Sequence, residues 1–576
     1  MRATWRPTAP PEVAELLASD EFDEGVAELA GKLGRDPAGV RAEAADYLKE
    51  MSASHHEVAG DAMAKFGNWM MRAYDVYVDD DRIAELRRLD RRHSLIFLFS
   101  HRSYLDGTVV PETARSRGIS PPFTFAGANL NFFPLGPMVS RAGGIFIRRD
   151  TGEVPIYRWV LRTYIAALVR GRANLAWSIE GGRTRTGKLR PPAYGILRYV
   201  VDAVRGADDT DALVVPVSVV YDQLHEVALM TNEARGGRKR PENLRWLLRF
   251  AREQRHRLGR AYMEFGEPFS LREKLGETGE SNAVERIALD VCHRINRATP
   301  VTATSIVSLA MLGADRALSL GEVLATVRPV ADYLTGRDWP VAGAADLTDR
   351  STIRRALQDL VASGVLDCYE AGTETVWVMA KDQHLVAAFY RNTAIHVFVE
   401  KAIGELALLA ASEADDPQEA AATYRAEALR LRELLKFEFF FSGRDEFGDE
   451  LDAEQRLAGA APHLAHLVLR PYVDAYHVVA DRLAAWEDEF DEQRFLAECL
   501  RVGRQWALQR RVASDESVTL ELFRTALRLA RHRGLVDGPG AAEPDLAKRR
   551  QDFAEEIAGT VRGTAVIAEL ARAGAA

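Results

Sequence analysis

His101 and Asp106 stand five residues apart in "SHRSYLDG", directly after the apolar run "SLIFLFS". Five residues of ideal helix turn through about 500°, so the two side chains would diverge on one helix. They meet only if His101 lies on the turn leaving a strand and Asp106 on the element that follows. An imidazole held at one nitrogen by a carboxylate is fixed in one tautomer and becomes a better base at the other. Ser103 is close by, yet the chain has no G-x-S-x-G elbow, so the hydroxyl to be activated belongs to a substrate.

Three further stretches carry charge or unusual backbone. "GGIFIRRD", residues 143–150, sets Arg148 and Arg149 at the end of a glycine-led apolar strand. Successive strand side chains alternate, so one faces the site and the other solvent or a carboxylate. "SIEGGRTRTGK", residues 178–188, offers Gly181 and Gly182 for close backbone approach and Arg183, Arg185 and Lys188 for an oxyanion, in the first place a phosphate. "GRTRTGKL" mimics a P-loop, but Leu189 stands where magnesium needs Ser or Thr, and Pro191 and Pro192 crowd the required helix. "LVVPVSVVYD" is a buried strand whose Pro216 marks an edge, a bulge or a bend. Between Arg141 and Arg205 thirteen bases face four acids, in a chain whose net charge is −9. The positive field is thus concentrated at these stretches.

The elements that must position these residues follow from periodicity. Residues 1–90 read as helices, with apolar positions at three- and four-residue intervals through "AMAKFGNWMMRAYDVYV". From residue 91 short apolar runs alternate with helices: "SLIFLFS", "GGIFIRR", "NLAWSI", "LVVPVSVV" and "AYMEFGEP" are strands, while "VPIYRWVLRTYIAALVRG" and "YGILRYVVDAVRG" are helices. That alternation predicts an α/β fold, a largely parallel sheet flanked by helices, with its site in the loops at the strand ends. The domains expected are a helical region 1–90, a catalytic domain 91–275 and a mostly helical region 276–576. In the last, "STIRRALQDLVASGVLDCYEAGTETVWVMA" predicts a capped helix and a hairpin of winged-helix shape, too acidic for DNA and better suited to packing.

Composition narrows the class. Three separated cysteines, Cys292, Cys368 and Cys499, lack metal spacing and suggest a reducing compartment. No stretch reads as a membrane span or signal peptide. Residues 118–140 carry no ionisable side chain but four prolines, which predicts a buried apolar loop, with an acyl-chain wall or membrane contact as the alternative. "FYRNTAIHVFVEKAIGELALL", residues 389–409, reads equally as a membrane-lying or an amphipathic core helix.

In this order "HRSYLD", "GGIFIRR", "EGGRTRTGK" and "VVPVSVVYD" resemble the four sequence blocks of the glycerolipid acyltransferases. Within that superfamily the chain is most similar to the bacterial membrane-associated glycerol-3-phosphate acyltransferases and their dihydroxyacetone-phosphate relatives. "GANLNFFPLGP", "AYMEFGEP", "FYRNTAIHVF" and "KFEFFFSGRDEFGDEL" extend the likeness. The chain is shorter than the long bacterial members and is expected to lack much of their N-terminal region. The resemblance implies that His101 is the general base and Asp106 its partner. It implies that Arg149 with Phe146 shapes the glycerol-phosphate pocket, that Glu180, Gly181 and Arg183 bind or position the substrate, and that Pro216 shapes the fourth block. Charge and spacing add Arg148, Arg185 and Lys188. The function implied is acyl transfer from acyl-CoA or acyl-carrier protein to the sn-1 hydroxyl of glycerol 3-phosphate, with dihydroxyacetone phosphate or lysophosphatidate as alternative acceptors. A non-catalytic lipid-binding protein is the more distant reading. No metal or other cofactor is expected, nor any nucleic-acid partner. The expected location is peripheral, on the cytoplasmic face of the inner membrane.

Overall fold

The computed structural model describes residues 13–575 except 129–130, 133–134, 149–153, 208–209, 235–236, 238–243, 256, 279–281, 315, 458–461 and 537–544. The chain divides into two compact units, the first formed by residues 1–183, 189–225 and 240–299, the second by 184–188, 226–239 and 300–576.

Unit 1 is built on one sheet. Among the described residues its strands are β1 (Tyr74–Val78), β2 (Ser94–Phe99), β3 (Phe123–Gly127), β4 (Gly144–Ile147), β5 (Leu175–Ser178), β6 (Ala212–Tyr221), β7 (Gly259–Phe265) and β8 (Phe269–Ser270). Their order is β1-β7-β6-β2-β5-β3-β4, with β8 also on β6. β2 pairs in parallel with β5 and β6, and β3 with β4 and β5, whereas β7 and β8 run antiparallel to β6. The sheet is therefore largely parallel, and β2, β4, β5 and β6 end on the same edge. Every residue of β2 and of β6 is buried, as a strand covered on both faces requires. Helices Pro155–Arg170 and Gly195–Arg205 fall where their periodicity places them.

Two expectations change and a third narrows. "YDVYV" is not the end of a helix but β1, an edge strand joined only to β7, so the first ninety residues contribute to the sheet. Residues 118–140 are not one loop: they hold β3 and the helix Leu135–Arg141. Pro216 lies inside the sheet rather than at an edge, opposite Leu98 of β2. On its other side it sits between the β7 partners, which begin at Val217, and the β8 partners, which end at Val214. The proline's missing N–H thus falls where the neighbouring strand breaks, and its carbonyl accepts from Gly266 N–H at 2.8 Å.

Unit 2 is mostly helical. Its small sheet, β9 (Leu318–Ser319), β10 (Leu366–Tyr369) and β11 (Val376–Met379), has the order β10-β11-β9. The helix Arg350–Ala362, capped by Asp349, precedes the β10–β11 hairpin and buries Ile353, Leu357 and Leu360. The helix Val399–Ala411 is a core element, because Lys401 and Glu405 within it are themselves buried and paired at 3.1 Å. Glu405 also accepts the backbone N–H groups of Leu464 and Ala465. Among the described residues no helix is long and apolar enough to cross a membrane.

Candidate active site

His101 lies on the turn leaving β2, and Asp106 is the first residue of the helix Asp106–Ser116, the arrangement their spacing demands. His101 Nδ1 stands 3.0 Å from Asp106 Oδ2. The same oxygen accepts the backbone N–H groups of Arg102 at 2.6 Å and Ser103 at 2.8 Å. Asp106 Oδ1 accepts the hydroxyl of Tyr221, the last residue of β6, at 2.6 Å. The carboxylate is fully buried and acts as acceptor toward three other donors, which leaves the imidazole Nδ1 as the fourth. The lone pair is then on Nε2, and with a quarter of its side chain exposed the ring is within reach of a ligand.

Glu180 follows β5, the strand beside β2, and its position explains a buried carboxylate that spacing alone left without a role. Oε1 accepts from His101 N–H at 2.6 Å and Oε2 from Arg190 N–H at 2.9 Å. Burial pushes its acid up to about 7, against the pull of those two N–H groups and of the Arg102 charge. Glu180 therefore staples the histidine turn to the glycine loop. Beneath them Arg102 is 2% exposed and donates to Ser100 Oγ and to the Val219 carbonyl of β6, each at 2.8 Å. Burial lowers its pKa, while Glu180 and Asp106 oppose that shift.

The glycine loop turns at Gly181, whose φ of +62° a side chain rarely adopts. Next, Arg183 lays its guanidinium 3.7 Å from the ring centroid of Tyr104, which belongs to the histidine turn. Its Nη1 is buried with no hydrogen-bond partner, a condition an oxyanion would relieve. His101, Asp106, Glu180, Gly181 and Arg183 are thus gathered at the carboxyl ends of adjacent parallel strands.

The remaining candidates have other partners. Phe146 is buried within β4, and Pro216 within β6. Arg148 makes a two-pronged ion pair with Glu50 and stacks near Tyr47 and Tyr157, so its charge is already matched. Arg185 and Lys188 fall in the short 184–188 segment of unit 2. Arg185 faces Glu233 and Glu521, while Lys188 is buried against Glu438 and the rings of Phe439 and Tyr472. Arg149 lies outside the described residues. Tyr221 and Arg102 are the site residues that sequence reasoning missed. Tyr221 closes the fourth block, but nothing in its local sequence marks it as a partner of an acid 115 residues away.

Comparison with known proteins adds a family. Residues 230–538 match the model described as the glycerol-3-phosphate acyltransferase C-terminal region, and residues 81–220 match the model described as acyltransferase. One Mycobacterium bovis and two Mycobacterium tuberculosis proteins, each named "Putative acyltransferase plsB1", are 59% identical over 98% of this chain and 95% of their own. Among solved structures, the 1-acyl-sn-glycerophosphate acyltransferase PlsC of Thermotoga maritima matches 41% of this chain and 76% of its own at 17% identity, with a TM-score of only 0.26.

Proposed function

The chain belongs to the glycerol-3-phosphate acyltransferase family, and we propose that it acylates the sn-1 hydroxyl of glycerol 3-phosphate from acyl-CoA or acyl-carrier protein. The observation that carries this reading is the His101 ring, oriented by an Asp106 whose carboxylate takes four donors. With Nδ1 donating, Nε2 removes the proton of the acceptor hydroxyl as its oxygen attacks the thioester carbonyl. The tetrahedral intermediate collapses with loss of the thiolate, which takes the proton back from the imidazolium, and lysophosphatidate is formed. The acyl group passes directly between substrates, and these steps call on no metal or other cofactor.

Arg183, with an unmatched buried donor, is the group suited to the acceptor's phosphate. A guanidinium gripping the phosphate fixes the far end of the acceptor, which converts binding into orientation of the hydroxyl. Arg149 is proposed for the same role. Dihydroxyacetone phosphate shares the phosphate and differs at the carbon skeleton, so it is the alternative to separate first. Because the long-chain donor and the product are amphiphiles, the protein is proposed to work at a membrane surface.

The test is turnover with glycerol 3-phosphate and palmitoyl-CoA, with the acylated position of the product identified, beside dihydroxyacetone phosphate and lysophosphatidate as competing acceptors. His101→Ala is expected to abolish transfer with the folded state retained. Near-normal turnover of that variant would remove His101 as the base.

A further inference from the structure

We infer that the outward stripe of the helix Leu244–Glu253 is the surface through which unit 1 docks on an anionic lipid bilayer. The inference deepens the functional reading above and, in choosing a lipid partner, rests on it.

The helix, LRWLLRFARE, has two sharply different faces. Arg245, Leu248, Arg249 and Arg252 recur at three- and four-residue spacing, so they share a sector about 100° wide, and all four are exposed. On the opposite side Phe250 and Ala251 are buried. Trp246 stacks on Phe250 at 5.4 Å, and both rings pack on Tyr104, the residue beneath the Arg183 guanidinium. The inner face therefore supports the histidine turn, while the outer face is open.

That outer face carries charge of one sign. Among the described residues Arg245, Arg249, Arg252 and the following Arg255 have no ion-pair partner, in a chain whose acids outnumber its bases. Only Arg257, just beyond, meets an acid, Asp75. Four unmatched guanidinium groups within eleven residues attract an anionic surface, and each contributes most where such charges are dense.

Exposed apolar side chains on this helix and on the segment tied to it favour lipid over a soluble polyanion. Leu248 is 62% exposed in the middle of the stripe, and Trp69 is 46% exposed. Arg72 ties Trp69 to the backbone of this helix: its guanidinium lies 4.4 Å from the centroid of Trp69, and it donates to the Ala251 carbonyl at 2.5 Å. An aliphatic and an indole side chain flanked by arginines match the boundary between headgroups and acyl chains. Docking by this face brings lipid to the helix whose other side braces the catalytic turn.

The experiment is flotation of the full chain with phosphatidylcholine vesicles, with and without added phosphatidylglycerol. The native chain is expected to float with the anionic vesicles and not with the neutral ones. Arg249→Glu/Arg252→Glu should weaken that partition by roughly a hundredfold, and Leu248→Asp by roughly tenfold. All three positions are exposed, so folding should persist; equal binding by native and variant chains would overturn the assignment. So would unchanged vesicle binding together with a raised KM for acyl-carrier protein, which would make the stripe a protein-docking face. In lipid-free solution, native and variant chains should acylate glycerol 3-phosphate from a short-chain acyl-CoA at the same rate. If neither transferred while the anionic binding and its loss remained, the docking surface would stand and the proposed reaction would fall.

Discussion

Around Asp106 every hydrogen bond constrains the same imidazole, and the one supplied from farthest along the chain can be removed by deleting a single hydroxyl. Tyr221→Phe takes away the hydroxyl that donates to Oδ1 and leaves the ring packed against Tyr74 at 5.2 Å. The freed oxygen lets the carboxylate turn away from Nδ1, at a net cost of about 1–2 kcal/mol. If that loss is felt where the imidazolium forms, kcat drops about tenfold with KM for the acceptor little changed. A kcat equal to the native value would mean that the two backbone N–H groups alone hold Asp106. Arg183→Ala acts on binding instead. It leaves Tyr104 without its guanidinium and the phosphate without a donor, so KM for glycerol 3-phosphate should rise at least tenfold, roughly the value of a charge-assisted hydrogen bond. An unchanged KM would take Arg183 out of the phosphate pocket. Arg148, matched by Glu50, provides the contrast, since its replacement should leave that KM alone.

The elements place these residues by parallel pairing of strands far apart in sequence. β2 brings the histidine turn, β5 the glycine loop and β6 the tyrosine, and each strand announces itself through an apolar run. That is why the core of the sheet and the His101–Asp106 pairing were legible in the amino-acid sequence. β1 was not, because only its end residues Tyr74 and Val78 are buried and its pattern merges with the preceding helix. β3 was hidden because Pro121 and Pro122 precede it and Gly127 ends it, which together read as a loop. The hydrogen bonds of Glu180 were also out of reach: their donors are backbone N–H groups, which no residue type reveals. The loop geometry yields a prediction of its own. A Cβ on Gly181 would lie 2.8 Å from the Ala193 Cβ, in a backbone region unfavourable to side chains. Gly181→Ala is therefore expected to cost about 1–3 kcal/mol in stability and, by displacing Glu180, to lower kcat as well. Native kcat in a destabilised variant would separate the turn from the chemistry.

Across the whole molecule, buried acids make stability depend on pH near neutrality. Glu180 and Glu264 in unit 1 are pushed up to about 7, and Glu400 in unit 2 to about 8, each chiefly by burial. Near Glu400, Glu450 and Glu454 add to the rise and Arg337 opposes it. Between the ordinary carboxylate value of 4.5 and these raised values the folded chain binds protons that the unfolded chain has released. Folded stability from these groups is thus complete below the unfolded value and is lost as pH rises through 7 and 8. The buried histidines His55 and His466, lowered to about 4, act in the opposite sense, but only up to their ordinary 6.5. Acids held low, such as Glu322 at about 2, titrate below the window altogether. The net expectation is a decline in stability that is shallow between about pH 5 and 6.5, where the histidines oppose it, steeper from 6.5 to 7, and finished by about 8. Glu400→Gln removes one source while keeping the side chain's shape. It should raise the stability of unit 2 by roughly 1–3 kcal/mol on the alkaline side, a range that allows for the small exposed part of the side chain, and change it little near pH 5. Thermal unfolding of native and variant chains at both pH values measures the difference, and parallel pH profiles for the two would show that Glu400 is charged in the folded state throughout.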